Sequence, residues 1–209
     1  MKKYDMHIHI WRQDANPEVL LEHMAEAGVY GGCVMSRPSV EYDSTLGADF
    51  ETRLQEVLEC CDYAKDRLFP ILWLHPDEEN VMQNIRTAVA RGICGFKIIC
   101  NDFYIYEEKC MELLRLIASL DKPVLFHSGI LWDGKFSSPY NHPMNFEALI
   151  SIEGLRFSMG HCSWPWVDEC IALYGKFMNA ADFGRMKAEM FFDLTPGTPE
   201  IYREDYIGI

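Results

Sequence analysis

Two hydrophobic patterns alternate along the chain. Short apolar, β-rich runs fall at residues 3–10 (KYDMHIHI), 31–36 (GGCVMS), 68–76 (LFPILWLHP), 95–100 (GFKIIC), 123–129 (PVLFHSG), 156–163 (RFSMGHCS) and 190–197 (MFFDLTPG). Between them, apolar residues recur at helical spacing. These stretches are PEVLLEHMAEAG, about Ala48 to Arg67, NVMQNIRTAVARG, EEKCMELLRLIASLD, NFEALISIEG, and about Val167 to Ala188. The pattern predicts seven βα alternations, which means a parallel sheet covered by helices. Seven such units favour a (β/α) barrel over an open doubly wound sheet. No linker or low-complexity stretch divides them, so residues 1–209 read as a single domain. Neither GxGxxG nor GxxxxGK[ST] occurs, so nucleotide-binding alternatives lack their phosphate loops.

The first run carries two histidines, His7 and His9. Residues i and i+2 of a strand share a face, which groups His7 and His9 with Asp5 against Met6, Ile8 and Ile10. Two such imidazoles, about 6–7 Å apart along a strand, can converge on one metal ion; the other reading is a pair of hydrogen-bonded core histidines. His75, His127 and His161 also fall at predicted strand ends, where barrel active sites form. Neutral imidazole is a common zinc ligand, and catalytic zinc often has three protein ligands plus water. His75 reads as a pocket-wall residue that can touch substrate. His142 belongs to a polar loop, as a loop residue or a substrate contact, and His23 lies on a helix in a structural or solvated role.

Lys97 interrupts an apolar strand, where an amine costs desolvation unless it is paired or faces a polar cavity. It can hold a substrate carboxylate, become carboxylated and bridge metals, or form a structural ion pair. The five tryptophans, Trp11, Trp73, Trp132, Trp164 and Trp166, lie near predicted strand ends. They read either as scattered core packing or as an aromatic pocket, with Trp132 and Trp164 at its mouth. Arg37 is a candidate clamp for an anionic group or a surface arginine.

A formal net charge of −13 disfavours nucleic-acid and anionic-membrane partners and leaves small-molecule substrates open. No apolar run approaches the ~20 residues of a membrane span. The start, MKKYDMHIHI, lacks the apolar core of a secretory signal. Eight cysteines without a CxxC pair read as free thiols of a cytoplasmic protein. The oligomeric state is open, a homo-oligomer included.

Taken together, DMHIH at 5–9, GFKI at 95–98, VLFHSG at 124–129 and MGHCS at 159–163 resemble the amidohydrolase superfamily, and most the branch related to aminocarboxymuconate-semialdehyde decarboxylase. The resemblance implies a (β/α)8 TIM-type barrel with one divalent metal, zinc first and Mn, Fe or Co as alternates, and no second metal. It implies His7, His9 and His127 as metal ligands. His161 would match a second-metal ligand of binuclear members, or the catalytic group that polarises water or substrate in mononuclear ones. Lys97, singled out by its place in an apolar strand, is a second catalytic candidate. The family's strand-eight aspartate has no counterpart: residues 198–209 contain no GTD- or GSD-like segment. The expectation is a barrel lacking its eighth strand, C-terminally incomplete, with Asp193 as the nearest substitute. The implied activity is metal-dependent hydrolysis of a C–N or C–O bond in a small molecule. The alternatives are nonoxidative decarboxylation of a small unsaturated or aromatic acid, and an inactive metal-binding fragment.

Overall fold

The computed structural model describes residues 1–10, 16–184, 188–195 and 197. Trp11 and the tail 198–209, for which no eighth strand is expected, lie outside the described residues. The chain divides into two compact units, Met1–Lys97 and Ile98–Ile209.

The first unit runs β1 (Tyr4–His9), α1 (Pro17–Glu26), β2 (Gly31–Met35), α2 (Phe50–Asp62), β3 (Leu68–Leu74), α3 (Val81–Ala90) and most of β4 (Gly95–Ile98). The strands are hydrogen-bonded neighbours in chain order, with β1–β2 and β2–β3 parallel. The helices start at sequence-encoded caps. Asn16 accepts from Glu18 N ahead of Pro17, and Asp49 accepts from Thr52 N at 2.9 Å and Thr52 Oγ1 at 2.8 Å. Val34, Leu54, Val57, Leu72 and Ile85 are all 0% exposed and form the core. β2 opens with Gly31 and Gly32 because a Cβ there would strike the Arg67 and Asp5 carbonyls of the flanking chain.

β1 is not a regular strand. Asp5 pairs with Gly32 and Ile8 with Val34, so Met6 and His7 together oppose Cys33 alone. This is a β-bulge, a device that re-aims a side chain.

The second unit contains the end of β4, then α4 (Glu108–Ser119), β5 (Pro123–Phe126), β6 (Arg156–Met159), α5 (Val167–Asp182) and β7 (Glu189–Phe192). The Ile98 carbonyl accepts from His127 N at 3.0 Å, and β5–β6–β7 are parallel. Phe126 packs edge-on against Phe146 and Phe157, and Phe157 against Phe177. The stretch predicted as a helix over 145–154 is instead, through residue 151, part of a 3₁₀ segment, Pro143–Ser151. Its buried residues Phe146 and Leu149, and Ile152 that caps its end, recur every three positions, the period of a 3₁₀ turn, and Asn145 Nδ2 bonds back to the Pro139 and Tyr140 carbonyls.

The seven parallel strands and their helices belong to the (β/α)8 TIM-type barrel class, with no eighth strand among the described residues. No helix among the described residues is long and apolar enough to cross a membrane.

Candidate functional site

In the first unit the two imidazoles of the bulged strand β1 meet. His7 Nε2 and His9 Nε2 lie 3.1 Å apart. Two nitrogens bound at ~2.0–2.1 Å to one tetrahedral ion sit about 3.3 Å apart, close to the separation of this donor pair. Lys97, 0% exposed on β4, places Nζ 3.1 Å from the same His7 nitrogen. An ammonium has no lone pair, so Lys97 donates and His7 Nε2 accepts. Asp5 Oδ1 takes the backbone proton of His7 at 2.9 Å and braces the bulge. His9 also meets the edge of buried Trp73, with ring centroids 5.4 Å apart.

His75 follows β3 directly and is 2% exposed. Its backbone N–H donates to Glu78 Oε1 at 2.6 Å, and its Nδ1 accepts from Asp77 N at 3.3 Å. Glu78 in turn receives Arg53, which also donates to the Trp73 carbonyl; both side chains are nearly fully buried. Burial pushes the Glu78 carboxyl above the usual range, against the pull of the Arg53 charge. Arg37 is a loop brace in this structure: it donates to the Gly47 carbonyl at 3.1 Å and meets Glu56 at 3.5 Å. His23 is exposed on α1.

In the second unit His127 stands immediately after β5, and its Nε2 donates to the Ile130 carbonyl at 3.2 Å. A carbonyl only accepts, so the neutral ring carries its lone pair on Nδ1. Its centroid lies 4.9 Å from that of His161. His161 is not the end of a strand. It opens a left-handed turn in which His161, Cys162 and Ser163 have φ of 59°, 46° and 56°. None is glycine, so the turn is strained and must be held from outside. Ser128 Oγ donates to the Gly160 carbonyl at 2.7 Å and accepts from Ser163 Oγ at 2.9 Å. Asp193, one residue past β7, accepts His161 N on Oδ1 at 2.9 Å and Cys162 N on its carbonyl at 2.8 Å.

Thr195 completes this cluster, with Oγ1 2.6 Å from both Asp193 Oδ1 and His161 Nδ1. Trp132, 75% exposed, and Trp164 stack nearly parallel with centroids 6.2 Å apart. His142 caps Met144 N through Nδ1 at 3.3 Å and lies against the Trp166 ring.

The structure thus gathers His7, His9 and Lys97 in one unit and His127 and His161 in the other, and it stacks Trp132 on Trp164. Thr195 is absent from the sequence-based candidates, and Asp193 enters them only as a stand-in carboxylate. The motif DLT directly after a strand was the available signal, because Asp-x-Thr favours local side-chain-to-backbone turns. Here Asp193 Oδ1 does accept Thr195 N, at 3.2 Å.

A family model described as amidohydrolase matches residues 4–190. Nothing among curated proteins matches the chain. Among solved structures, a probable 2-pyrone-4,6-dicarboxylic acid hydrolase of Acinetobacter baumannii is 16% identical with a TM-score of 0.50, over 100% of this chain and 90% of its own. The dihydroorotase of Campylobacter jejuni is 17% identical with a TM-score of 0.56, over 99% of this chain; the match spans 58% of that enzyme's length. The N-acetylneuraminate lyase of Mycoplasma synoviae is 14% identical with a TM-score of 0.54, over 99% of this chain and 74% of its own. At these identities the likeness is one of fold.

Proposed function

Because the chain belongs to the amidohydrolase family, we propose that it is a metal-dependent hydrolase that cleaves a C–N or C–O bond of a small molecule. The observation that carries this reading is the 3.1 Å approach of His7 Nε2 to His9 Nε2, on a bulged strand next to a buried lysine. The ligands that the family resemblance implies for one divalent ion are His7, His9 and His127, with His161 as a further candidate; the geometric support is confined to the His7–His9 pair of the first unit. Zinc is the first choice, and Mn, Fe or Co are alternates. When bound, such an ion supplies Lewis-acid polarisation and lowers the pKa of water toward ~7.

The chain's own residues would do the rest. Ligation through His7 Nε2 and the Lys97 ammonium bond to that nitrogen exclude each other, so Lys97 must turn away when the pair binds a cation. The released ammonium is then placed to hold a substrate carboxylate. His161 would hold and return a proton at the reacting group, as an imidazole with an unperturbed pKa near ~6.5 can. Trp132, Trp164 and His75 are the proposed walls for substrate. Arg37 would reach an anion only by releasing Glu56, so Lys97 takes that role first. The eight free thiols support a cytoplasmic setting.

A second reading, nonoxidative decarboxylation of a small unsaturated or aromatic acid, is favoured by the same buried Lys97. One assay separates the two. The purified chain is incubated with panels of cyclic amides, lactones and aromatic acids, after chelation and again after Zn²⁺ is restored. Metal-dependent ring opening supports the hydrolase. Metal-dependent CO₂ release supports the decarboxylase. Metal binding without any turnover supports an inert metal-binding barrel. Turnover that persists through chelation contradicts the metal dependence.

A further inference from the structure

In the cluster at His161 a single hydroxyl proton decides which way the hydrogen bonds run. Thr195 Oγ1 is 2.6 Å from Asp193 Oδ1 and 2.6 Å from His161 Nδ1. A hydroxyl has one proton to give. Asp193 Oδ1 already accepts two backbone N–H groups, from His161 at 2.9 Å and Thr195 at 3.2 Å, so it stands as a carboxylate acceptor. A 2.6 Å contact between two oxygens requires a proton between them, and the carboxylate has none to offer. The Thr195 proton therefore points at Asp193. The lone pair of Thr195 Oγ1 then faces His161, and Nδ1 must be the donor.

A second observation concerns the room around the same ring nitrogen. Gly197 lies against the imidazole so closely that a Cβ there would sit 2.5 Å from Nδ1, 2.6 Å from Cγ and 2.9 Å from Cε1. Only glycine leaves the ring that space. The backbone under it is strained, with His161 at φ 59°, and is pinned by the same Asp193 carboxylate.

We infer that Thr195, oriented by Asp193, is a positioning residue that locks His161 in the Nδ1–H tautomer and makes Nε2 its acceptor nitrogen. The relay runs one way: His161 Nδ1–H to Thr195 Oγ1, and Thr195 Oγ1–H to Asp193 Oδ1. A hydrogen-bonded second partner of this kind fixes ring orientation as well as tautomer. The catalytic use of Nε2 rests on the hydrolase reading, whereas the tautomer does not.

The test is a two-bond ¹H–¹⁵N correlation spectrum of the full chain labelled with [¹⁵N]histidine, recorded near neutral pH with and without Zn²⁺. The His161 signals are assigned by their loss in His161→Gln. In the wild type, Nδ1 is expected to carry the proton in both conditions. Thr195→Ser should keep that pattern, and Thr195→Val, which keeps the shape and removes the hydroxyl, should shift His161 to the Nε2–H form or a mixture. Turnover should fall about 10–100-fold in Thr195→Val and recover in Thr195→Ser. An Nε2–H tautomer in the wild type, or an unchanged His161 spectrum in Thr195→Val, overturns the inference. If Thr195→Val does not fold, the wild-type spectrum and that of Thr195→Ser decide it alone. An Nδ1–H signal in a protein that hydrolyses nothing upholds the positioning role and sinks the hydrolase reading instead.

Discussion

Replacing Arg53 with methionine tests how the His75 loop is held. Arg53 and Glu78 side chains are 1% and 4% exposed, and Arg53 also serves the Trp73 carbonyl. Methionine fills similar volume but leaves Glu78 buried without its cation, which costs about 3–5 kcal/mol in comparable cases. At about 2.1 cal/mol/K of unfolding entropy per residue, a chain of 209 residues should lose roughly 7–11 °C in Tm. The pH dependence has a definite sign. Burial already raises the Glu78 carboxyl, and removing the opposing Arg53 charge raises it further. A folded-state pKa above the unfolded one means that the native state binds the proton more tightly. Relative to wild type, the Arg53→Met variant therefore loses stability as pH rises from the ordinary carboxylate range through the raised pKa. Below that window Glu78 is neutral in both states and the deficit shrinks. Calorimetric melts of both proteins from pH 4 to 8 read this directly. The double variant Arg53→Met/Glu78→Leu should recover at least half of the loss, since no buried charge remains. A Tm within about 2 °C of wild type at pH 7, or a deficit that grows on acidification, would refute the reasoning.

Two further expectations follow from single contacts. Asp49→Ala removes the α2 cap and should cost about 1 kcal/mol near neutral pH. Thr52 donors hold the Asp49 carboxyl below its usual range, so chemical denaturation should find that cost fading as pH falls through the lowered pKa. Gly197→Ala puts a methyl where the His161 ring lies, and steady-state assays should show kcat lowered by about 10-fold or more while the melting temperature barely moves. A Gly197→Ala protein with wild-type kcat would show that the ring or the loop yields freely.

What could be read in the sequence, and what could not, divides along physical lines. Strands β3, β4 and β5 were legible because each is an apolar run closed by a histidine, a polar residue or a turn. Lys97 stood out as the one charge inside such a run, and it is indeed fully buried. The bulge in β1 was invisible, because DMHIHI alternates in the same way whether or not one residue is extra. The stretch 145–154 reads as an α-helix because Phe146, Leu149 and Ile152 suit a period of 3.6 nearly as well as 3.0. The left-handed turn at His161–Ser163 could not be foreseen, since no glycine or asparagine marks it. It is imposed by Ser128, Asp193 and Thr195, more than thirty residues away along the chain. Thr195 escaped notice for the same reason: its partner His161 is brought to it only by the pairing of β6 with β7.

The central claim is that the His7–His9 pair is a metal-binding pair. Metal content per chain, measured by elemental analysis after equilibration with Zn²⁺ and desalting, tests it most directly. The wild type should retain about one equivalent. The double variant His7→Ala/His9→Ala, confirmed as folded by circular dichroism, should retain almost none. A wild type that holds no metal, or a double variant that keeps a full equivalent, would contradict the account.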